Sequence, residues 1–337
     1  MKLISYRVVN RESWGTYASD GGIIDLGAEF GTTIPTMRAY LEADDDAKAK
    51  VAEYVKTGFG GSSGKASDYP VKDITLLEPI RNPDKIICVG WNYREHAREA
   101  GIELPDHPTL FARWANSHVP HGNPILLPRE SEKFDYEGEL AAIIGKPARR
   151  VSEADALSYI GGYSIYNDAT LRDYQRHSSQ YMPGKNFFQS GAFGPCMVTA
   201  DEIPEPADLT LETRLNGEVV QHTGIDDLIF SIPKLIAYIS SFTELVPGDV
   251  IATGTPSGAG LGRTPPLWMK DGDTIEVEVS KIGILTNPIQ AAALVHYERS
   301  TSGDEPLVEP GVHGLCFLEF VGLGDERPNL AARAQLK

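Results

Sequence analysis

Residues 134–170 read FDYEGELAAIIGKPARRVSEADALSYIGGYSIYNDAT, and the fold of the chain turns on how this stretch is laid out. Glu137 and Glu139 flank a glycine inside an apolar, β-prone run. The two-residue period of a strand therefore points both carboxylates to one face, together with Asp135, Ala141 and Ile143. Ser152, with Asp155 three residues on, marks a helix start, and Gly161-Gly162 marks its stop. YSIYND then reads as a second strand that ends in Asp168. A strand, helix, strand order can return Asp168 beside the two glutamates and gather three carboxylates in one pocket.

Three anions in a partly dry cleft need compensation, because at ~4 Å and an effective dielectric of about 20 each pair repels by roughly 4 kcal/mol. A divalent cation supplies it. An all-oxygen donor set without Cys or His favours Mg²⁺ or Mn²⁺ over zinc, and few protein ligands leave positions open for water or substrate. The alternative reading of Glu-Gly-Glu is a pair of charges on the wet face of a strand.

At 337 residues and 41% hydrophobic, the chain can bury a substantial core, and its length suggests two domains or one with appendages. A net charge of −16 opposes binding to nucleic acid or to an anionic membrane. Cys88, Cys196 and Cys316 are odd in number, far apart and set in apolar surroundings, as expected of reduced core residues in a cytoplasmic protein. The opening MKLISYRVVN lacks a signal-peptide apolar region, and no apolar run approaches the ~18 residues of a membrane span.

LISYRVV and the segment around WGTYASDGGIIDLG read as strands of a small β-rich N-terminal domain (1–70), with residues 37–55 helical and GFGGSSGKAS (58–67) as linker. KIICVG suits a buried strand. In WNYREHAREAG, Asn92 as N-cap with Glu95 forms a capping box, and Gly101 is the stop. His96 and Glu99 then share a helix face, close enough for the carboxylate to orient the imidazole. An ordinary solvated charge pair is the alternative. His118 and His121 lack partners at metal-ligand spacing. Arg172 and Lys185 can each bind a substrate carboxylate or serve as surface ion-pair partners. Asn216-Gly217 signals a hairpin, SIPKLIAYISSFTEL an amphipathic helix capped by Ser231, and PGDVIATGTPSGAGLG a buried strand followed by a glycine-rich loop. A backbone N–H or the Thr255 hydroxyl in that loop can touch a substrate carboxylate.

Taken together, GWNYREHAREAG, DYEGELAAIIG, YNDATLRDYQ, GKNFFQSGAFGP, VVQ, PGDVIATGTPSG and IGILTNP resemble, in order, the landmarks of the fumarylacetoacetate hydrolase family over roughly residues 80–290. The resemblance implies an α+β, mostly β fold, with a mixed β-sandwich or roll as catalytic domain (71–290). That overrides a doubly wound sheet. It further implies that Glu137, Glu139 and Asp168 hold Mg²⁺ or Mn²⁺, that His96 and Glu99 form a water-activating dyad on a short helix, and that Lys185 stabilises charge. Arg172, Gln175, Tyr181 and Thr255 are expected to contact substrate, and a homodimer is expected as the assembly. Two departures stand out. The family often has Asp three residues after the lysine, where this chain has Phe188, and often Lys where it has Arg113. A C-terminal extension (291–337) is longer than the family suggests.

The implied activity is metal-dependent hydrolysis of a C–C bond in a 2-oxo acid or β-diketone such as an acylpyruvate, in catabolism of aromatic or sugar acids. The rivals on the same metal site are decarboxylation of oxaloacetate-like acids and isomerisation of a hydroxymuconate-type diacid. A catalytically silent dicarboxylate-binding protein is the rival from another class.

Overall fold

A computed structural model describes residues 1–57, 67–99 and 103–292, leaving out the side chain of Glu99. Most of the expected linker, the Gly101 stop, Cys316 and nearly all of the C-terminal extension lie outside these residues. The architecture is α+β with two mixed sheets. In the larger, the strand order is Ile23–Asp25, Arg11–Tyr17, Lys2–Val8, Gly191–Thr199, Ile160–Asn167, Gly138–Ile144, Val250–Ala252, Ile86–Gly90 and Thr109–Arg113. The N-terminal strands join this sheet through Lys2–Val8, which pairs with Gly191–Thr199. A five-stranded sheet, ordered Glu218–Gly224, Thr210–Leu215, Thr274–Val279, Gly283–Ala291 and Ile125–Leu127, packs against it.

The strand Gly138–Ile144 lies at the centre and is buried at every residue. Its alternation sorts side chains into two cores. Leu140, Ala142 and Ile144 join Leu211, Ile275, Val277 and Leu285 of the second sheet, and also helix Ile232–Phe242. Ala141 and Ile143 face the other way, into a cluster with Met37, Tyr40, Leu41 and Val51. These come from helices Met37–Glu42 and Asp45–Thr57. Each fully buried Leu or Ile contributes about 1.5–3 kcal/mol, so the strand is fixed from both faces. Helix Ile232–Phe242 buries Ile232, Leu235, Ile236 and Ile239, the expected amphipathic stripe, although the Ser231 side chain makes no capping bond. The Asn216-Gly217 turn has φ of 53° and 82° and closes the predicted hairpin.

One local expectation is corrected. Between the Glu139 strand and the Asp168 strand there is no crossover helix but a loop with a single 3₁₀ turn, Ala156–Tyr159. The two strands run antiparallel, so a short return suffices. Ser152 bonds locally to Asp155, with Oγ to Oδ2 at 2.7 Å. Gly161 and Gly162 lie in the second strand instead of ending a helix, and a Cβ on Gly162 would sit 2.5 Å from the Val198 carbonyl oxygen. No helix among the described residues is long and apolar enough to cross a membrane.

Candidate active site

The antiparallel register opposes Gly138 to Asn167 and Glu139 to Tyr166, and Asp168 N–H donates to the Glu137 carbonyl at 2.9 Å. Pairing alone thus places Asp168 next to the glutamates. One oxygen from each of Glu137, Glu139 and Asp168 lies within 4.8 Å of the others, and all three residues are buried. That burial removes the wet-face reading. Gly138 between the glutamates has a packing reason: a Cβ there would meet Thr213 Oγ1 at 2.2 Å and Val277 Cγ1 at 3.0 Å, both from the second sheet.

Burial of so much charge demands pairing. Lys185 Nζ donates to Asp168 Oδ2 at 2.6 Å, to Asp168 O at 3.1 Å, and to Glu137 Oε2. Arg172 reaches Glu137 Oε1 at 2.6 Å and Asp135 Oδ2 at 2.7 Å, and donates to Gln175 Oε1 at 3.1 Å. Arg113 spends its guanidinium on Asp168 Oδ1 (2.7 Å), Ala169 O (2.9 Å), Ser117 Oγ (3.0 Å), Ser117 O (2.9 Å) and Ser190 Oγ (3.2 Å). The lysine therefore takes its acidic partners from the triad. Phe188, at the position where the family often has Asp, is 56% exposed.

Glu139 forms no ion pair among the described residues; its carboxylate accepts from Gly254 N–H at 2.9 Å. Burial, then the negative Asp168 and Glu137, push its pKa well above the usual carboxylate range. Burial also pushes Glu137 upward, but Arg172 and Lys185 overcome it and hold that carboxyl at about 2. Neighbouring glutamates with opposite shifts mark a site with negative charge in excess. The described side chains fit a hard divalent cation: three carboxylates offer oxygen donors within mutual reach, and an added positive charge would offset the burial and repulsion that raise Glu139.

The triad lies in a small cavity lined also by His96, Arg172, Gln175, Tyr181, Lys185 and Thr255. Every sequence-predicted site residue is brought to it except Glu99, whose backbone ends helix Arg94–Glu99 but whose side chain lies outside the described residues. Arg172 faces inward onto acids. Thr255 Oγ1 donates to the Gly138 carbonyl at 3.0 Å and accepts from Gln221 Nε2 at 2.8 Å. His96 stacks on Trp91, ring centroids 4.9 Å apart and 18° from parallel.

Asn92 does not cap its helix. It is fully buried, donating to Phe230 O (3.1 Å) and Thr253 O (2.7 Å) and accepting from Phe230 N–H (2.8 Å). Asp227 accepts from Glu95 N–H at 3.4 Å instead, and Glu95 turns to Arg98. Asn92 thus pins the base of the His96 helix to the loop that carries Gly254 and Thr255.

Sequence reasoning missed the roles of Trp91, Phe111, Arg113 and Gln221. Gln221 Oε1 accepts from Gly138 N–H at 3.0 Å, so it grips the peptide between the two glutamates. A polar residue in the otherwise apolar VVQ run was the available signal. His118 and His121 are not among the carboxylate triad's neighbours that line the cavity. His118 Nδ1 lies 3.2 Å from Tyr166 OH, and burial, aided by Arg113 and Arg81, lowers its pKa to about 3. Cys88 and Cys196 are buried free thiols.

The family model for the fumarylacetoacetate (FAA) hydrolase C-terminal region matches residues 85–290. The chain is 36% identical over 272 residues to the mitochondrial oxaloacetate tautomerase FAHD2A of Bos taurus, covering 80% of this chain and 84% of that one. It is 44% identical over 225 residues to the oxaloacetate tautomerase YisK of Bacillus subtilis, 66% of this chain and 75% of that one. Among solved structures, maleylpyruvate hydrolase from Sphingobium, in complex with manganese(II) and pyruvate, matches with a TM-score of 0.71. That match has 25% identity and covers 87% of this chain and 100% of that one.

Proposed function

The chain belongs to the fumarylacetoacetate hydrolase family, and from that premise we propose that it is a Mg²⁺- or Mn²⁺-dependent tautomerase interconverting the keto and enol forms of a small 2-oxo diacid of the oxaloacetate class. The observation that carries the reading is one cavity with the carboxylate triad and Lys185 at its floor and His96 on its wall. Tautomerisation needs stabilisation of an enolate and a group that moves a proton at the adjacent carbon. A bound divalent cation supplies Lewis-acid stabilisation of the charge that develops on the 2-oxo oxygen. Lys185, inside the triad, adds positive charge at the same end. His96 exchanges the proton with C3. Arg172 acts through Glu137 and Gln175, holding the ligand and the cavity wall in place. The names of the two curated relatives support the substrate class, and the manganese in the hydrolase structure supports the choice of ion.

C–C hydrolysis of an acylpyruvate is the second reading. It uses the same enolate and is favoured by His96, which can activate water as well as move a proton to carbon. A homodimer is proposed with either reaction. Absorbance of enol-oxaloacetate, followed beside pyruvate release, separates the routes. Accelerated enol decay without pyruvate is expected, lost with EDTA and restored by Mg²⁺ or Mn²⁺. Pyruvate formed from oxaloacetate would indicate decarboxylation, and cleavage of acylpyruvates with untouched oxaloacetate tautomers would replace the proposal with hydrolysis. Binding without any turnover would make the protein a dicarboxylate binder. Asp168→Asn should weaken metal binding strongly, whereas His96→Ala should retain metal and lose turnover.

A further inference from the structure

We propose that Trp91 is the positioning residue for His96: its indole fixes the plane of the imidazole over the cavity and, with Tyr181 and Phe111, forms an aromatic wall running from His96 to Lys185. The backbone gives the first reason. Trp91 has φ of 57°, in the left-handed region, between the strand end at Gly90 and the buried Asn92. A bulky residue held there costs about 1–3 kcal/mol, whereas glycine would sit there freely. A chain that places its largest side chain at a strained position uses that side chain for something.

The ring contacts say what. One face of the indole stacks on His96 at 4.9 Å. Its Nε1–H donates to Tyr181 OH at 3.2 Å. Tyr181 meets Phe111 edge-on at 5.6 Å, and Lys185 Nζ lies 5.0 Å above the Phe111 ring. All three aromatic residues line the cavity. The wall therefore links the two groups that handle charge and protons. The imidazole sits on a helix of six residues, and its near-parallel stack on the indole sets the plane of the ring.

The role given to His96 rests on the tautomerase reading; the stack does not. Three variants separate the contacts. Trp91→Gly removes the ring at a position glycine tolerates, Trp91→Phe keeps the face and loses the donor, and Tyr181→Phe removes the acceptor alone. The readouts are kcat and KM for whichever reaction the wild-type protein performs, Mg²⁺ affinity, and the NMR shift of the His96 ring protons. In Trp91→Gly the ring-current shift of His96 should vanish and kcat fall about 30- to 100-fold, with KM within about threefold and Mg²⁺ affinity within about twofold. Trp91→Phe should keep the shift and restore kcat to within about fivefold, and Tyr181→Phe should resemble it. An unmoved His96 signal in Trp91→Gly, a kcat within threefold of wild type, or loss of metal binding in parallel with kcat would overturn the assignment. A wild-type protein that fails to tautomerise oxaloacetate would refute the functional reading, while the NMR comparison would still decide the stack.

Discussion

Gly138→Ala tests how the second sheet aims Glu137 and Glu139, the proposed metal ligands. The added methyl would sit 2.2 Å from Thr213 Oγ1, about 1.2 Å short of ordinary contact, and 3.0 Å from Val277 Cγ1. Thr213 and Val277 are both essentially inaccessible, so neither can swing into solvent. Relief must come from parting the sheets or from displacing the peptide that carries Glu137 and Glu139. Overpacking of this kind costs about 1–3 kcal/mol, and the buried setting puts this case near 2–3. In a chain of this size that lowers Tm by roughly 3–5 °C. Because the displaced peptide joins two ligands, Mg²⁺ affinity should fall about tenfold, near the lower end of the loss seen when a ligand's support is removed. Thr213→Ala supplies the control. Its hydroxyl is buried and has no hydrogen-bond partner among the described residues, so its removal sacrifices little. The double variant Gly138→Ala/Thr213→Ala should recover most of the stability and affinity. Thermal melts and calorimetric metal titrations of the four proteins make the measurement. A stable Gly138→Ala with wild-type affinity, or a double variant no better than the single, would show that the contact does not govern the site.

Two further outcomes follow from the buried polar groups. Arg113→Lys replaces five donors with three, leaving at least two buried acceptors unserved. A loss of about 2–4 kcal/mol in urea unfolding and weaker Mg²⁺ binding through Asp168 are expected, and an unfolding free energy within about 0.5 kcal/mol of wild type would contradict the network. His118 is held neutral, its pKa lowered from 6.5 to about 3, so the unfolded chain takes up the proton first. Stability from this group is therefore full above about pH 6.5 and declines toward pH 3, by about 2 kcal/mol between pH 7 and pH 5. His118→Asn should flatten that part of the profile relative to wild type, and parallel acid limbs for the two proteins would refute the assignment.

What the sequence made legible was local. Alternation put Glu137 and Glu139 on one side, and the order of motifs brought His96, Asp168 and Lys185 into the same inventory. The cavity does gather them. The helix expected after Ser152 failed because capping residues also build turns, and the antiparallel pairing that made a helix unnecessary is a property of two strands together. Asn92 was assigned to its own helix for the same reason: its real partners, Phe230 and Thr253, are 138 and 161 residues away. Arg113 has a similar history, since a lone arginine in a loop-rich stretch carries no mark of the Asp168 it serves, 55 residues on. Short-range geometry is written in the order of residues; the supports of a site come from wherever the sheets happen to meet.

Gln221 shows what that means for altering the protein. Both ends of its amide are engaged by protein groups, and they tie the Glu-Gly-Glu peptide to Thr255 and Pro256 from a strand of the other sheet. The scaffold therefore separates two kinds of freedom. A designer seeking a new substrate can redraw the wall at Tyr181 and keep Trp91 to aim His96, while the glutamine strand belongs to the chassis, where a change that looks remote will surface at the carboxylate triad.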